Sequence, residues 1–328
     1  MSADKTPARR LPVTPAAGKL QVPRPRTAFP WIAPTWPGGV VRPPVERRLG
    51  VDYDTAWARK YPARLVRALV TDNVTRPLLR VVASPTVGGL DRFDHLDEPV
   101  IFAANHASHV DTPLLLSVLP DRWRHRTVVA AGADYFFDKR WKAVTFALSI
   151  NAIPIERQRV NRRSADLAAS LLDDGWSLLI FPEGGRTPDG WGQPHRAGAA
   201  WLSVRTGRPL VPVYVDGTRR ILPRRGSKLR PGMSQVTFGR PLRPAAGQDA
   251  RELSAALEHA VSVLADEQTT DWWTATRRAA ARSTPTLTGP AGGAWRRTWV
   301  LTERDRSRRP DRRDGGARWW DDDSSRRS

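Results

Sequence analysis

Apolar and polar positions along the chain follow two periods. Val100–Ala103, Thr127–Ala131, Ala152–Ile155, Trp176–Phe181 and Leu210–Val215 are short runs that are almost entirely apolar, with the length and branched content of buried strands. Thr86–Leu90 and Gln235–Phe238 add two more short strands. Between them the spacing is helical, at Leu114–Leu119, Trp141–Ile150, Ser164–Leu172, Gly198–Thr206 and Asp249–Asp266. The last of these places Leu253, Leu257, Val261 and Leu264 along one side. Alternating strands and helices predict an α/β fold: a mixed, largely parallel sheet flanked by helices, with ligands at the carboxyl ends of the strands. Pro154 assigns its run to a sheet edge or a strand end.

Ahead of this region, from Asp54 to about Val82, Leu65, Leu69, Val70, Val74, Leu78 and Val81 recur at helical spacing beside Arg59, Arg64, Arg67, Arg76 and Arg80. The pattern predicts two short amphipathic helices broken near Thr71–Asn73, with Pro77 in the first turn of the second. An arginine-flanked apolar stripe has two readings, a helix packed on its own domain or one lying in the headgroup layer of anionic lipid. Residues 1–48 are crowded with Pro and Arg and lack apolar periodicity, so they are expected to be disordered. The expected organisation is a disordered segment at 1–48, amphipathic helices at 49–85, the main domain at 86–282, and a disordered basic tail at 283–328.

Composition narrows the chemistry. The 328 residues include no cysteine, which excludes a disulfide framework, a thiolate nucleophile and a cysteine-ligated metal. Any reaction must draw on His, Asp, Glu, Ser or Arg. The formal net charge of +20 predicts attraction to something anionic, whether nucleic acid, an acidic membrane surface or a phosphorylated substrate. No helix-turn-helix, zinc-finger or RNA-motif signature is present, so no specific nucleic-acid partner is expected. No apolar run reaches the length of a membrane span, and the basic N-terminus lacks the apolar stretch of a secretory signal, so a cytoplasmic protein is expected.

Three strand ends carry candidate chemistry. His106 leaves the strand at Val100–Ala103, and Asp111 enters the next helix, where Asp111 or Thr112 serves as N-cap and Pro113 falls near the first helical position. A carboxylate beside an imidazole fixes its tautomer and leaves the other nitrogen to take a proton, which makes the pair a general base. The plainer alternative is a capping Asp beside a half-buried His. His106, His109 and Asp111 also invite a metal-hydrolase reading, but two histidines three apart with no further histidine-rich segment do not make the familiar ligand spacing. The strand Ala152–Ile155 delivers Arg157, and Trp176–Phe181 runs into Glu183-Gly184-Gly185-Arg186, where paired glycines bring backbone N–H groups close to an anion.

In this order the motifs resemble those of the glycerolipid acyltransferases, the family that includes the 1-acylglycerol-3-phosphate acyltransferases. Asn105, His106, Ser108 and Asp111 match its first motif, and Ile153–Arg157 matches the second more loosely. Phe181–Thr187 matches the third, and Val211-Pro212-Val213 the fourth. The resemblance spans about residues 50 to 265. It implies that His106, held by Asp111, is the base for transfer from an acyl-CoA or acyl carrier protein thioester to a lysophospholipid hydroxyl, without a metal or other cofactor. Asn105, Ser108, Arg157, Glu183, Gly184, Gly185 and Arg186 are the implied substrate-binding residues, and the inner face of the cell membrane the implied location. Gly185 stands where the family has Thr, which removes a hydroxyl from the acceptor site. Asn151 replaces the glycine that usually leads the second motif.

Overall fold

The computed structural model describes residues 49–300 except 157–161, 225–227, 290, 291, 294 and 298. The Pro/Arg-rich segment 1–48 and residues 301–328 lie outside this range. Seven strands form one sheet: β1 Pro85–Gly88, β2 Ile101–Ala104, β3 Thr127–Gly132, β4 Ala152–Ile155, β5 Ser177–Ile180, β6 Leu210–Asp216 and β7 Ser234–Phe238. Their order is β1-β7-β6-β2-β5-β3-β4. Among the described strand pairs only β6–β7 is antiparallel, so the sheet is mixed and largely parallel. Pro154 lies on β4, an edge strand, where its missing N–H breaks no central ladder.

The described helices are α1 Ala63–Val70, α2 Arg76–Ala83, α3 Asp111–Val118, α4 Asp121–Arg124, α5 Ala133–Phe136, α6 Arg140–Ile150, α7 Arg162–Asp173, α8 Gly198–Thr206, α9 Thr218–Ile221, α10 Ala250–Thr269 and α11 Trp272–Ala280. Because successive residues of a strand point to opposite faces, β2 feeds two cores. Phe102 and Ala104 pack with Phe93, Trp123 and Phe238 under α2 and α3, while Ile101 and Ala103 pack with Leu172, Leu202 and Leu257 from α7, α8 and α10. This burial on both faces explains why β2 is apolar throughout.

The expected break between the first two helices is a π turn, Thr71–Thr75, through which the chain stays helical from α1 into α2. Neither the Thr nor the Asn in that turn stops a helix that continues on both sides. The polarity of α1 is inverted: Arg67 is 8% exposed and Thr71 9%, whereas Leu69 is 55% exposed and Leu65 and Val66 each 45%. Arg67 Nη1 donates to the Ala58 carbonyl at 2.7 Å. Burial, followed by the charges of Arg64 and Arg59, pushes the Arg67 guanidinium down to about 10. The apolar face continues outward through Val70, Val74, Leu78 and Val81. No described helix is long and apolar enough to cross a membrane.

The tail differs from expectation over its described part. Leu287 packs at the edge of the α7/α8/α10 core, its carbonyl accepts from Gly192 N at 3.0 Å, and Arg297 pairs with Asp189 at 2.7 Å. A Gly-, Pro- and Arg-rich composition conceals such a segment because only a few of its residues make the contacts.

Candidate active site

β2 ends at Ala104, but its pairing with β6 continues for one more rung through a side chain. The Asn105 amide Nδ2 donates to Val215 O at 2.9 Å, and Asn105 Oδ1 accepts from Val215 N at 2.7 Å. The amide thus replaces a peptide group, and the chain is free to turn away from the sheet at His106. The turn is closed by Asp111, which sits at the first position of α3 with Val110 as N-cap, one residue from the expected cap. Its carboxylate points back into the loop rather than along the helix. Oδ2 accepts from Ala107 N at 2.7 Å and Ser108 N at 2.8 Å, and lies 2.9 Å from His106 Nδ1. Thr218, at the start of α9, donates its hydroxyl to Oδ1.

These bonds set the chemistry of His106. A fully buried carboxylate holds Nδ1–H as the donor, so Nε2 carries the lone pair. The ring stacks on Phe181 with centroids 4.1 Å apart and planes at 21°, which fixes its rotation. The side chain is 13% exposed and borders a cavity of about 1030 Å³. Leu116, Val129, Phe136, Phe146 and Ile155 give that cavity apolar walls, and Val70, Thr71 and Thr75 of the π-turn region form part of its lining. With His106 Nδ1–H donating to Asp111 Oδ2, and both Asp111 oxygens accepting from N–H and O–H donors, the trio His106, His109 and Asp111 is not arranged as a metal site. Among the described residues no cluster of three His, Asp or Glu side chains could hold a metal.

Glu183 follows β5 and is 3% exposed. Its Oε1 accepts from His106 N at 3.0 Å and its Oε2 from Gln193 N at 3.2 Å. Burial pushes its carboxyl up to about 7; the two N–H bonds pull the other way, and the Asp111 and Glu258 charges add to the rise. His109 stacks on Tyr135 at 5.8 Å and meets the edge of Phe136. Burial first, then the charges of Arg186 and His106, push it down to about 4 against the opposing pull of Asp111. His109 is therefore neutral at physiological pH.

The structure sorts the expected binding residues into two groups. Asn105, Ser108 and Glu183 are committed to the protein: Ser108 is fully buried and donates to Leu222 O at 2.8 Å, and the other two are spent on backbone groups. None of the three lines the cavity. Gly184 and Gly185 line the cavity. Gly184, at φ 74°, lies against Arg196, whose Nε would be 2.8 Å from any Cβ there, whereas a Cβ at Gly185 meets nothing within 4 Å. Arg186 is half-buried beside the site and donates to Arg224 O at 3.4 Å. Arg157 lies outside the described residues. Two residues that the sequence did not single out belong here: Thr218, on Asp111, and Arg196, on the cavity wall. Arg196 had one weak signal, a basic residue just ahead of a helix start.

The acyltransferase family profile matches residues 84–216, which run from the foot of β1 to the end of β6 and include His106, Asp111 and Glu183. Over these residues the chain is similar to the acyltransferase family, and the curated relatives it matches include several 1-acyl-sn-glycerol-3-phosphate acyltransferases. The chain is similar to the chloroplastic 1-acyl-sn-glycerol-3-phosphate acyltransferase BAT2 of Brassica napus, with 28% identity over 145 residues, 42% of this chain and 38% of the relative. The 1-acyl-sn-glycerol-3-phosphate acyltransferase of Bacillus subtilis is 27% identical over 170 residues, 51% of this chain and 79% of its own length. The chain spans about half the length of the plant and algal relatives it matches. The crystal structure of the 1-acyl-sn-glycerophosphate acyltransferase PlsC from Thermotoga maritima shares the fold. Its TM-score is 0.50 at 23% identity, covering 66% of this chain and 84% of that one.

Proposed function

We propose that this acyltransferase moves an acyl chain from an acyl-CoA or acyl carrier protein thioester to the free hydroxyl of a lysophospholipid, with 1-acylglycerol-3-phosphate as acceptor and phosphatidic acid as product. The observation that carries the reading is the His106 Nδ1–Asp111 Oδ2 contact of 2.9 Å at the edge of a large apolar cavity with Arg186 and Arg196 nearby. In the proposed step His106 Nε2 takes the acceptor's proton while its oxygen attacks the thioester carbonyl. The tetrahedral adduct then collapses, the C–S bond breaks, and the departing thiolate takes the proton from the imidazolium. Asp111 stabilises that cation, and a base so placed contributes about 10² to 10⁴ in rate. Arg186 and Arg196 would meet the acceptor's phosphate, with Arg157 assigned the same task by resemblance alone.

The exposed face of α1 and α2 supports a membrane-bound enzyme, on the anionic inner face of the cell membrane. Leu65, Val66, Leu69, Val70, Val74, Leu78 and Val81 are each roughly half exposed or more, and burying the remainder of such a side chain contributes about 1 kcal/mol. Seven of them, with Arg64 and Arg80 adding about 1 kcal/mol each on an anionic surface, suffice for reversible attachment. The cavity is lined by Val70 of that same face, which gives a lipid acceptor a short path to His106. A different lysophospholipid acceptor is the second reading, favoured by the open space at Gly185. Labelled acyl-CoA, and in a second series labelled acyl carrier protein, offered with lysophosphatidic acid, lysophosphatidylglycerol or lysophosphatidylinositol decides between them. Product with lysophosphatidic acid alone is expected, product only with another acceptor moves the pathway, and no product from either donor type overturns the reading.

A further inference from the structure

The family profile ends at residue 216, yet part of the C-terminal tail beyond α11 is built into the neighbourhood of the site. Leu287 O accepts from Gly192 N at 3.0 Å, and Arg297 O accepts from Trp191 Nε1 at 3.4 Å. Arg297 Nε lies 2.7 Å from Asp189 Oδ2, while Asp189 Oδ1 accepts from Trp191 N at 3.2 Å. Gly289 lies so close to the Trp191 ring that a Cβ would come within 2.6 Å of it. Four contacts from one tail segment therefore converge on three residues, Asp189, Trp191 and Gly192. The next residue is Gln193, whose N–H holds Glu183 Oε2, and Glu183 Oε1 holds the His106 N–H. Thr187 N closes the same path by donating to His106 O at 2.9 Å.

We infer that Leu287, Gly289 and Arg297 act as a positioning strap: by pinning the 189–193 loop they hold Glu183, and through Glu183 the backbone of His106, in the geometry that acyl transfer needs. Arg297, Gly289 and Leu287 are positioning residues in this scheme and touch no substrate. The strap reaches His106 through two carboxylate hydrogen bonds, so loosening it should displace the base without unfolding the sheet. The kinetic part of the inference rests on the proposed acyl transfer; the mechanical part does not.

The test compares the full chain with Arg297→Ala, Arg297→Lys and Gly289→Ala, the last of which pushes the strap off Trp191 without changing a charge. Amide hydrogen exchange is read at His106, Gln193 and the core strands β2 and β5. The expected result in Arg297→Ala and Gly289→Ala is exchange at least about 10-fold faster at His106 and Gln193, with the strands unchanged. Under the same conditions kcat should fall about 5- to 20-fold, KM for the thioester should stay within about 2-fold, and Arg297→Lys should recover most of the loss. The acid-side fall of kcat should also move to higher pH. Glu183 faces Asp111 of α3 and Glu258 of α10, which already raise it, and loses the N–H that opposes them when Gln193 is freed. Unchanged exchange at His106 in both disruptive variants would overturn the inference, as would faster exchange throughout the sheet with no recovery in Arg297→Lys. A parent protein that transfers no acyl chain would sink the proposed function, and the exchange measurements would still decide the strap.

Discussion

Asn105→Ala separates two roles for a residue that lies next to the base. If Asn105 is a rung of the sheet, removing its amide leaves both the N–H and the C=O of Val215 without partners, in a residue only 2% exposed. Each unpaired buried backbone group costs about 1 to 3 kcal/mol, so the variant should lose about 4 kcal/mol, a large share of the stability of an ordinary domain. Asn105→Asp sharpens the test. A protonated Asp reproduces both bonds, whereas a carboxylate keeps the bond from Val215 N–H but faces Val215 C=O with a second acceptor. Burial and that carbonyl raise the folded pKa of the new group above the unfolded value of about 3.9. Its contribution is therefore fully present below about pH 4 and is lost as pH rises through the raised folded value, so the deficit relative to the parent grows with pH. Urea unfolding of parent and both variants between pH 4 and 8 measures this, with KM for both substrates followed at low temperature. Parent-like stability of Asn105→Ala combined with a raised acceptor KM would refute the rung and return Asn105 to substrate binding.

The stability of the parent relative to Glu183→Gln, whose amide does not titrate, should fall as pH rises. The parent carboxyl is raised from 4.5 to about 7, so its favourable contribution is present below about 4.5 and lost as pH rises through about 7, a span worth roughly 3 kcal/mol; pH-dependent denaturant melts read it. The same variant should lose activity, because an amide presents an N–H to one of the two backbone donors, and kcat at constant pH checks this. Gly184→Ala should cost about 1 kcal/mol or more, and activity with it, since φ is 74° and Arg196 blocks the Cβ; Gly185→Thr, in open space, should fold like the parent, and thermal melts of both compare the positions. Leu65→Glu/Leu69→Glu should reduce binding to anionic vesicles more than about 10-fold with an unchanged melting temperature, measured by co-sedimentation.

The strands were legible in the sequence because burial on both faces leaves an apolar run, as at Ile101–Ala104 and Ala152–Ile155. Pro154 marked its edge, since a proline breaks a ladder from the inside. The functions of motif residues were less legible, because they depend on partners far along the chain. Asn105 reaches Val215 across 110 positions and Thr218 reaches Asp111 across 107, and no local period encodes either contact. The motif assigns Asn105, Ser108 and Glu183 to substrate, and the fold bonds all three side chains to the backbone around the loop that presents His106. The face of α1 followed the same logic. Its stripe was visible, but which side points inward is fixed by Ala58, which takes a hydrogen bond from Arg67. The tail was hidden for a different reason, since a strap held by Leu287, Gly289 and Arg297 leaves no periodic trace.

His106 as general base is tested most directly by acyl transfer from labelled acyl-CoA to lysophosphatidic acid on anionic vesicles, with the parent beside His106→Ala. The alanine removes a ring that borders the cavity and leaves the backbone bonds of His106 to Glu183 and Thr187 in place, so the variant should fold and bind vesicles like the parent. Its transfer rate should be lower by about 10² to 10⁴. A folded His106→Ala that transfers at a rate near the parent's would contradict the proposed mechanism.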